Sequence, residues 1–149
     1  MSDRPPHLLL VEAMFYPHLA TELRRGAERA LAAAGATFAA VQVPGAFEIP
    51  AAIAFAVRGR ERFDGFVGLG CVIRGETSHY EHVCTESAHG LQQLAWRDGL
   101  AIGFGILTCE NETQALARAA PEGRDHGGNA VRACLAMVAL RRRFAGGDP

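Results

Sequence analysis

The stretch Gly65–Val83, GFVGLGCVIRGETSHYEHV, changes character halfway along. Gly65–Val72 (GFVGLGCV) is an unbroken apolar run of strand length, and its glycines suggest that another backbone approaches closely. Arg74–Ser78 is a polar loop, and from about His79 to Trp96 the pattern is helical. A strand apolar on both faces that feeds a helix is the unit of a parallel sheet covered on both sides.

Working outward, the same unit recurs. Upstream, Leu8–Val11 (LLLV) reads as a strand, Pro17 suits a first helical turn, and His18–Ala34 is helical up to Gly35. Thr37–Val43 (TFAAVQV) is a second strand, ended by Pro44 and Gly45, and Ile49–Val57 is a short helix with Pro50 in its first turn. Downstream, Ala101–Thr108 (AIGFGILT) is a fourth strand, followed by a helix over Asn111–Ala119 with Asn111 as its cap. Pro121–Gly127 reads as irregular and Gly128–Phe144 as the last helix. This order predicts a three-layer α/β/α domain of flavodoxin-like type, with a four-stranded parallel sheet and right-handed crossovers. A single domain is expected over residues 1–149, with a flexible leader at 1–7 and a flexible tail at 145–149.

Composition narrows the classes of partner. Of 149 residues, 49% are hydrophobic and 21% charged, and the net charge of −1 argues against a nucleic acid or an anionic membrane surface. The basic run Arg141, Arg142, Arg143 falls at a helix end, where cations complement the dipole. Cys71, Cys84, Cys109 and Cys134 are scattered without a C-x-x-C pair and read as reduced thiols of a cytoplasmic protein. Leu8–Val11 is far too short for a signal core or a membrane span.

In open α/β sheets ligands bind beyond the carboxyl ends of the strands. The unusual loops of this sequence fall there. Phe15 and Tyr16 follow the first strand, and an aromatic side chain in that position either stacks on a flat heterocycle or covers the sheet end. Glu48, in Gly45–Pro50 (GAFEIP), either accepts hydrogen bonds from a ligand or complements a helix dipole. In Ile73–His79 (IRGETSH), Gly75 permits backbone approach, Thr77 and Ser78 bring hydroxyls, and free N–H groups at the helix start favour an anion. His79 can accept or relay a proton there, or simply face solvent. Arg118, taken alone, is a surface arginine whose interest depends on a neighbour that completes a site. His79, His82, Glu86 and His89 share a helix face, but three ligands on one helix rarely converge on one ion, so no metal is expected.

Together, VPGAFEIP (Val43–Pro50), GCVIRGETSHYEHV (Gly70–Val83) and GFGILTCEN (Gly103–Asn111), with Gln114 and Arg118 in register, resemble the lumazine synthase family. The resemblance covers almost the whole chain. It implies a cofactor-free transferase that condenses 5-amino-6-(D-ribitylamino)uracil with 3,4-dihydroxy-2-butanone 4-phosphate to 6,7-dimethyl-8-ribityllumazine. It implies that Phe15 stacks on the pyrimidinedione ring, that Ala46, Phe47 and Glu48 hold the ribityl chain, and that Cys71, Val72 and Ile73 line the ring edge. Glu76 and Thr77 would meet the phosphate, and His79 would shuttle protons. Phe104 and Arg118 would come from the adjacent subunit of a homopentamer. The short leader and Pro5–Pro6, which lack two backbone donors, favour a free pentamer or a pair of pentamers over a capsid. Three places depart from the family pattern: Pro121–His126 carries no lysine, Asn129 stands where an acidic residue is common, and Tyr16 replaces a small polar residue. Two other classes compete with this reading. One is a flavin- or lumazine-binding paralogue without turnover. The other is a flavodoxin-like electron carrier, which would need a Ser/Thr-rich phosphate loop where this chain has Met14–Pro17.

Overall fold

The structure is a computed structural model that describes residues 4–146. Its strands are β1 (His7–Ala13), β2 (Thr37–Val43), β3 (Gly65–Ile73) and β4 (Ile102–Cys109). The helices are α1 (Pro17–Ala34), α2 (Ile49–Val57), α3 (His79–Asp98), α4 (Glu112–Ala119) and α5 (His126–Phe144), and a 3₁₀ turn, Ala46–Glu48, leads into α2.

The four strands form one parallel sheet in the order β2-β1-β3-β4. Alternation along each strand sends side chains to two cores. Leu8, Leu10, Val67, Leu69 and Leu107 pack with residues of α1, α4 and α5 on one face. Leu9, Val11, Phe66 and Ile106 pack with residues of α2 and α3 on the other. The result is the three-layer flavodoxin-like architecture expected from the sequence.

Local signals account for the helix limits. In α1, Leu19, Leu23, Ala27, Ala30 and Leu31 recur every three or four residues on the buried face. Gly35, at φ 66°, then turns the chain out of the helix in the left-handed region that glycine tolerates. Helix α5 begins at His126 rather than at Gly128, because Asp125 caps it and its carboxylate accepts the Gly128 N–H at 3.2 Å. The small residues inside that first turn serve packing. A Cβ on Gly127 would lie 2.1 Å from the Leu23 carbonyl oxygen, so α1 and α5 touch backbone to backbone.

Two further expectations change. The leader was expected to span residues 1–7. Residues 1–3 lie outside the described part, but the Arg4 guanidinium donates to both carboxylate oxygens of Asp64 at 2.9 and 2.7 Å, and His7 already belongs to β1. Of the expected tail, Ala145 still donates to the Arg141 carbonyl, and residues 147–149 lie outside the described part. The second change concerns β2. Its run is mostly apolar, yet Val41 is exposed together with the polar Thr37 and Gln42. As an edge strand it has one neighbour, and the helices cover it only partly.

The chain passes from β1 to β2 on one side and then crosses back past β1 to β3 on the other. A crevice therefore opens beyond the carboxyl ends of β1 and β3, the usual ligand position of such sheets.

Candidate active site

A cavity of about 610 Å³ occupies that crevice. Each wall comes from the residues that follow a strand. After β1, Phe15 stands 70% exposed, and Tyr16 meets it edge-on with ring centroids 4.9 Å apart and planes at 73°. Tyr16 also packs against the core beneath α1, so the exposed ring rests on an anchored one. Burial, with Cys71 and Glu112 nearby, pushes the Tyr16 phenol above its ordinary range.

After β2, Pro44, Gly45, Ala46, Phe47 and Glu48 form the second wall. Ala46 is buried and Phe47 exposed, which fits a turn that anchors one side chain and offers the next. The Glu48 N–H donates to the Gly45 carbonyl at 3.2 Å, and this bond fixes the 3₁₀ turn that leads the carboxylate to the cavity.

The floor is the end of β3, where Cys71, Val72 and Ile73 line the cavity. The Cys71 thiol is pushed up to about 12, first by burial and then by the neighbouring Cys109. It is protonated at neutral pH and poorly suited to nucleophilic chemistry. The third wall is the loop into α3 with the first turn of that helix: Gly75, Thr77, His79, Tyr80, His82 and Val83. The His79 N–H donates to Thr77 Oγ1 at 3.3 Å, and the His79 ring is exposed at the cavity edge.

The fold thus brings Phe15, Ala46, Phe47, Glu48, Cys71, Val72, Ile73, Thr77 and His79 into one cavity. Three anticipated residues lie off it. Glu76 is exposed on the loop between Gly75 and Thr77. Phe104, half exposed on the open edge of β4, lines a separate hollow of about 430 Å³ with Ile102 and Met137. Arg118 sits in the last turn of α4 and donates to the Gln114 carbonyl at 3.1 Å. Beside it, His126 is half-buried, and burial together with Arg118 and Arg124 holds its imidazole below the usual range. Asn129 is occupied elsewhere: it donates to the Arg124 carbonyl at 3.0 Å and accepts from Arg132 at 2.6 Å.

Tyr80, His82 and Val83 were not singled out as cavity residues from the sequence. The available signal was helical spacing, since positions one, three and four after His79 follow it around the first turn of α3. Among the described residues no three His, Cys, Asp or Glu side chains gather as a metal-binding group, and no helix is long and apolar enough to cross a membrane.

The sequence also matches known proteins. A family model described as 6,7-dimethyl-8-ribityllumazine synthase matches residues 5–142. The chain is 56% identical over 138 residues to a 6,7-dimethyl-8-ribityllumazine synthase of Sphingopyxis alaskensis, covering 93% of this chain and 96% of the relative. It is 53% identical over 145 residues to 6,7-dimethyl-8-ribityllumazine synthase 1 of Rhizobium meliloti, covering 95% of each. To the protein of that name from Bartonella tribocorum it is 50% identical over 141 residues, covering 95% of this chain and 93% of the relative.

Proposed function

The chain belongs to the 6,7-dimethyl-8-ribityllumazine synthase family, and from that premise we propose how its cavity performs the family's reaction. The protein is a transferase of riboflavin biosynthesis. It condenses 5-amino-6-(D-ribitylamino)uracil with 3,4-dihydroxy-2-butanone 4-phosphate and releases 6,7-dimethyl-8-ribityllumazine, one phosphate and two waters. The observation that carries the reading is the convergence of a stacking ring, a carboxylate and an imidazole from three separate loops on one cavity at the carboxyl end of the sheet.

In this reading Phe15 stacks on the pyrimidinedione and Glu48 accepts from ribityl hydroxyls, with Ala46 and Phe47 beside it. The ends of β3 at Cys71, Val72 and Ile73 border the ring. Thr77 and the main chain at Glu76 receive the phosphate at the start of α3, where unpaired N–H groups and the helix dipole favour an anion. His79 takes and returns protons as the substrate amine attacks the ketone, the imine forms, phosphate leaves and the ring closes. Two substrates held face to face gain most of their acceleration from juxtaposition, so the proton relay adds to a site that already works by orientation.

The site is completed by a second copy. Phe104 on the β4 edge and Val41 on the β2 edge are exposed apolar side chains on opposite edges of the sheet. Contact between unlike edges is head-to-tail, and such contacts close into rings when the rotation between copies closes. We assign a homopentamer, alone or paired, in which Phe104 and Arg118 reach the neighbour's cavity. There Arg118 would grip the phosphate as a forked donor. The four cysteines are free, which suits a reducing, cytoplasmic setting.

The test is direct. Purified protein is mixed with both substrates and the fluorescent lumazine is followed, with turnover above the spontaneous rate expected. A rate equal to the spontaneous one would leave only a binding module.

A further inference from the structure

Arg74 lies outside the cavity lining, yet it is the most connected side chain next to it. It is the first residue after β3, and its backbone N–H donates to the Cys109 carbonyl at 2.9 Å, which continues the β3–β4 pairing. From there the side chain reaches two further elements. Nε donates to Glu110 just beyond β4 at 2.8 Å, and Nη1 donates to Glu81 in the first turn of α3. The guanidinium also covers the Tyr80 ring at 4.3 Å from its centroid, and Tyr80 itself lines the cavity. A planar fork that meets two carboxylates and one aromatic face is a geometry lysine cannot reproduce.

The loop that Arg74 opens has little else to hold it. Between Gly75 and Ser78 the one side-chain hydrogen bond among the described residues is that from the His79 N–H to Thr77 Oγ1. A Cβ on Gly75 would meet nothing within 4 Å, so the loop has no packed neighbour there. Single exposed ion pairs contribute little, but a network that joins three elements around one fork restrains their relative placement.

We propose that Arg74 is a positioning residue that fixes the Thr77–His79 segment against the ends of β3 and β4, and so sets phosphate capture and proton transfer without touching substrate. This rests on the cavity's role as the synthase site. It predicts a selective signature, because Phe15, Phe47 and Glu48, assigned to the ribitylaminouracil, stand on loops that Arg74 does not touch.

The experiment compares Arg74→Ala, Arg74→Lys and Glu110→Gln as assembled proteins in steady-state kinetics with each substrate varied. In Arg74→Ala, kcat/KM for the butanone phosphate should fall roughly tenfold, within the cost of a small misplacement of reacting groups. The KM for the ribitylaminouracil should stay within about twofold. Arg74→Lys should recover part of the loss, and Glu110→Gln should shift the same parameters by less. Two results would overturn the proposal: Arg74→Ala with all parameters unchanged, or a parallel rise of both KM values with a lowered melting temperature. Wild-type turnover serves as the control, since its absence would defeat the synthase reading itself and not the role of Arg74.

Discussion

The two ends of the sheet put their side chains to opposite purpose. At the amino end, charged groups satisfy one another. The buried Asp64 carboxylate accepts from both Arg4 nitrogens and from the His7 N–H at 2.8 Å, while Arg141 donates to the carbonyls of Gly99 and Asp64. At the carboxyl end, Phe15, Phe47, Thr77 and His79 stand exposed around the cavity, and the well-paired residue there, Arg74, sits behind it. The lesson is a division of labour. Interactions closed within the chain hold the sheet together, and side chains left open at the other end are available to substrates.

Three substitutions would break or sharpen that contrast. The largest effect is expected for Arg118→Ala, which removes the guanidinium proposed to hold the phosphate. Its loss should raise KM for the butanone phosphate by roughly ten- to a hundredfold, the value of a charge-assisted hydrogen bond. Unfolding measured alongside should hardly change, and an unaltered KM would remove Arg118 from the site.

Asp64→Ala should do the reverse. It leaves the His7 N–H and the Arg4 guanidinium without their acceptor, at about 2 kcal/mol of unfolding free energy, while kcat is retained. The effect has a defined pH dependence. Burial alone would raise the Asp64 carboxyl, but the His7 N–H and the Arg4 and Arg142 guanidinium groups outweigh it and hold it below the usual carboxylate range. A carboxylate depressed in the folded state contributes fully above its unfolded value, about 3.9, and loses that contribution as pH falls through the lower folded value. The stability gap between wild type and Asp64→Ala should therefore narrow in acid, and denaturation curves at stepped pH will read it.

His79→Ala should give the smallest of the three effects. A fall in kcat of about tenfold is expected, below the usual range for proton-transfer catalysis, because juxtaposition survives the loss. A drop of several thousandfold would make proton transfer, not positioning, the dominant contribution.

Much of this was legible beforehand, and the exceptions have physical causes. The strand at Gly65–Val72 and the helix ended by Gly35 were readable because apolar periodicity and glycine caps act over a few residues. The α5 start lies two residues earlier than the pattern suggests, because His126 and Gly127 look like loop residues until the Asp125 cap and the contact of Gly127 with α1 are seen. The exposure of Val41 in β2 follows from its place at the sheet edge, which no local pattern encodes. At the site, the turns after β1, β2 and β3 were recognisable by composition. Tyr80 and Val83 were not, since an aromatic and a valine on a helix look the same whether they face a core or a cavity.

By itself, then, the sequence determined the alternation of strands and helices, the loops that carry reactive side chains and, by likeness, the family. Only the tertiary structure decided that residues from Phe15 to Val83 share one cavity while Phe104 and Arg118 do not, and that Arg74 links α3 to the end of β4. The reason is range. Periodicity and capping are properties of neighbours along the chain, whereas a cavity depends on which strands lie side by side, and that is fixed by packing between residues far apart in sequence.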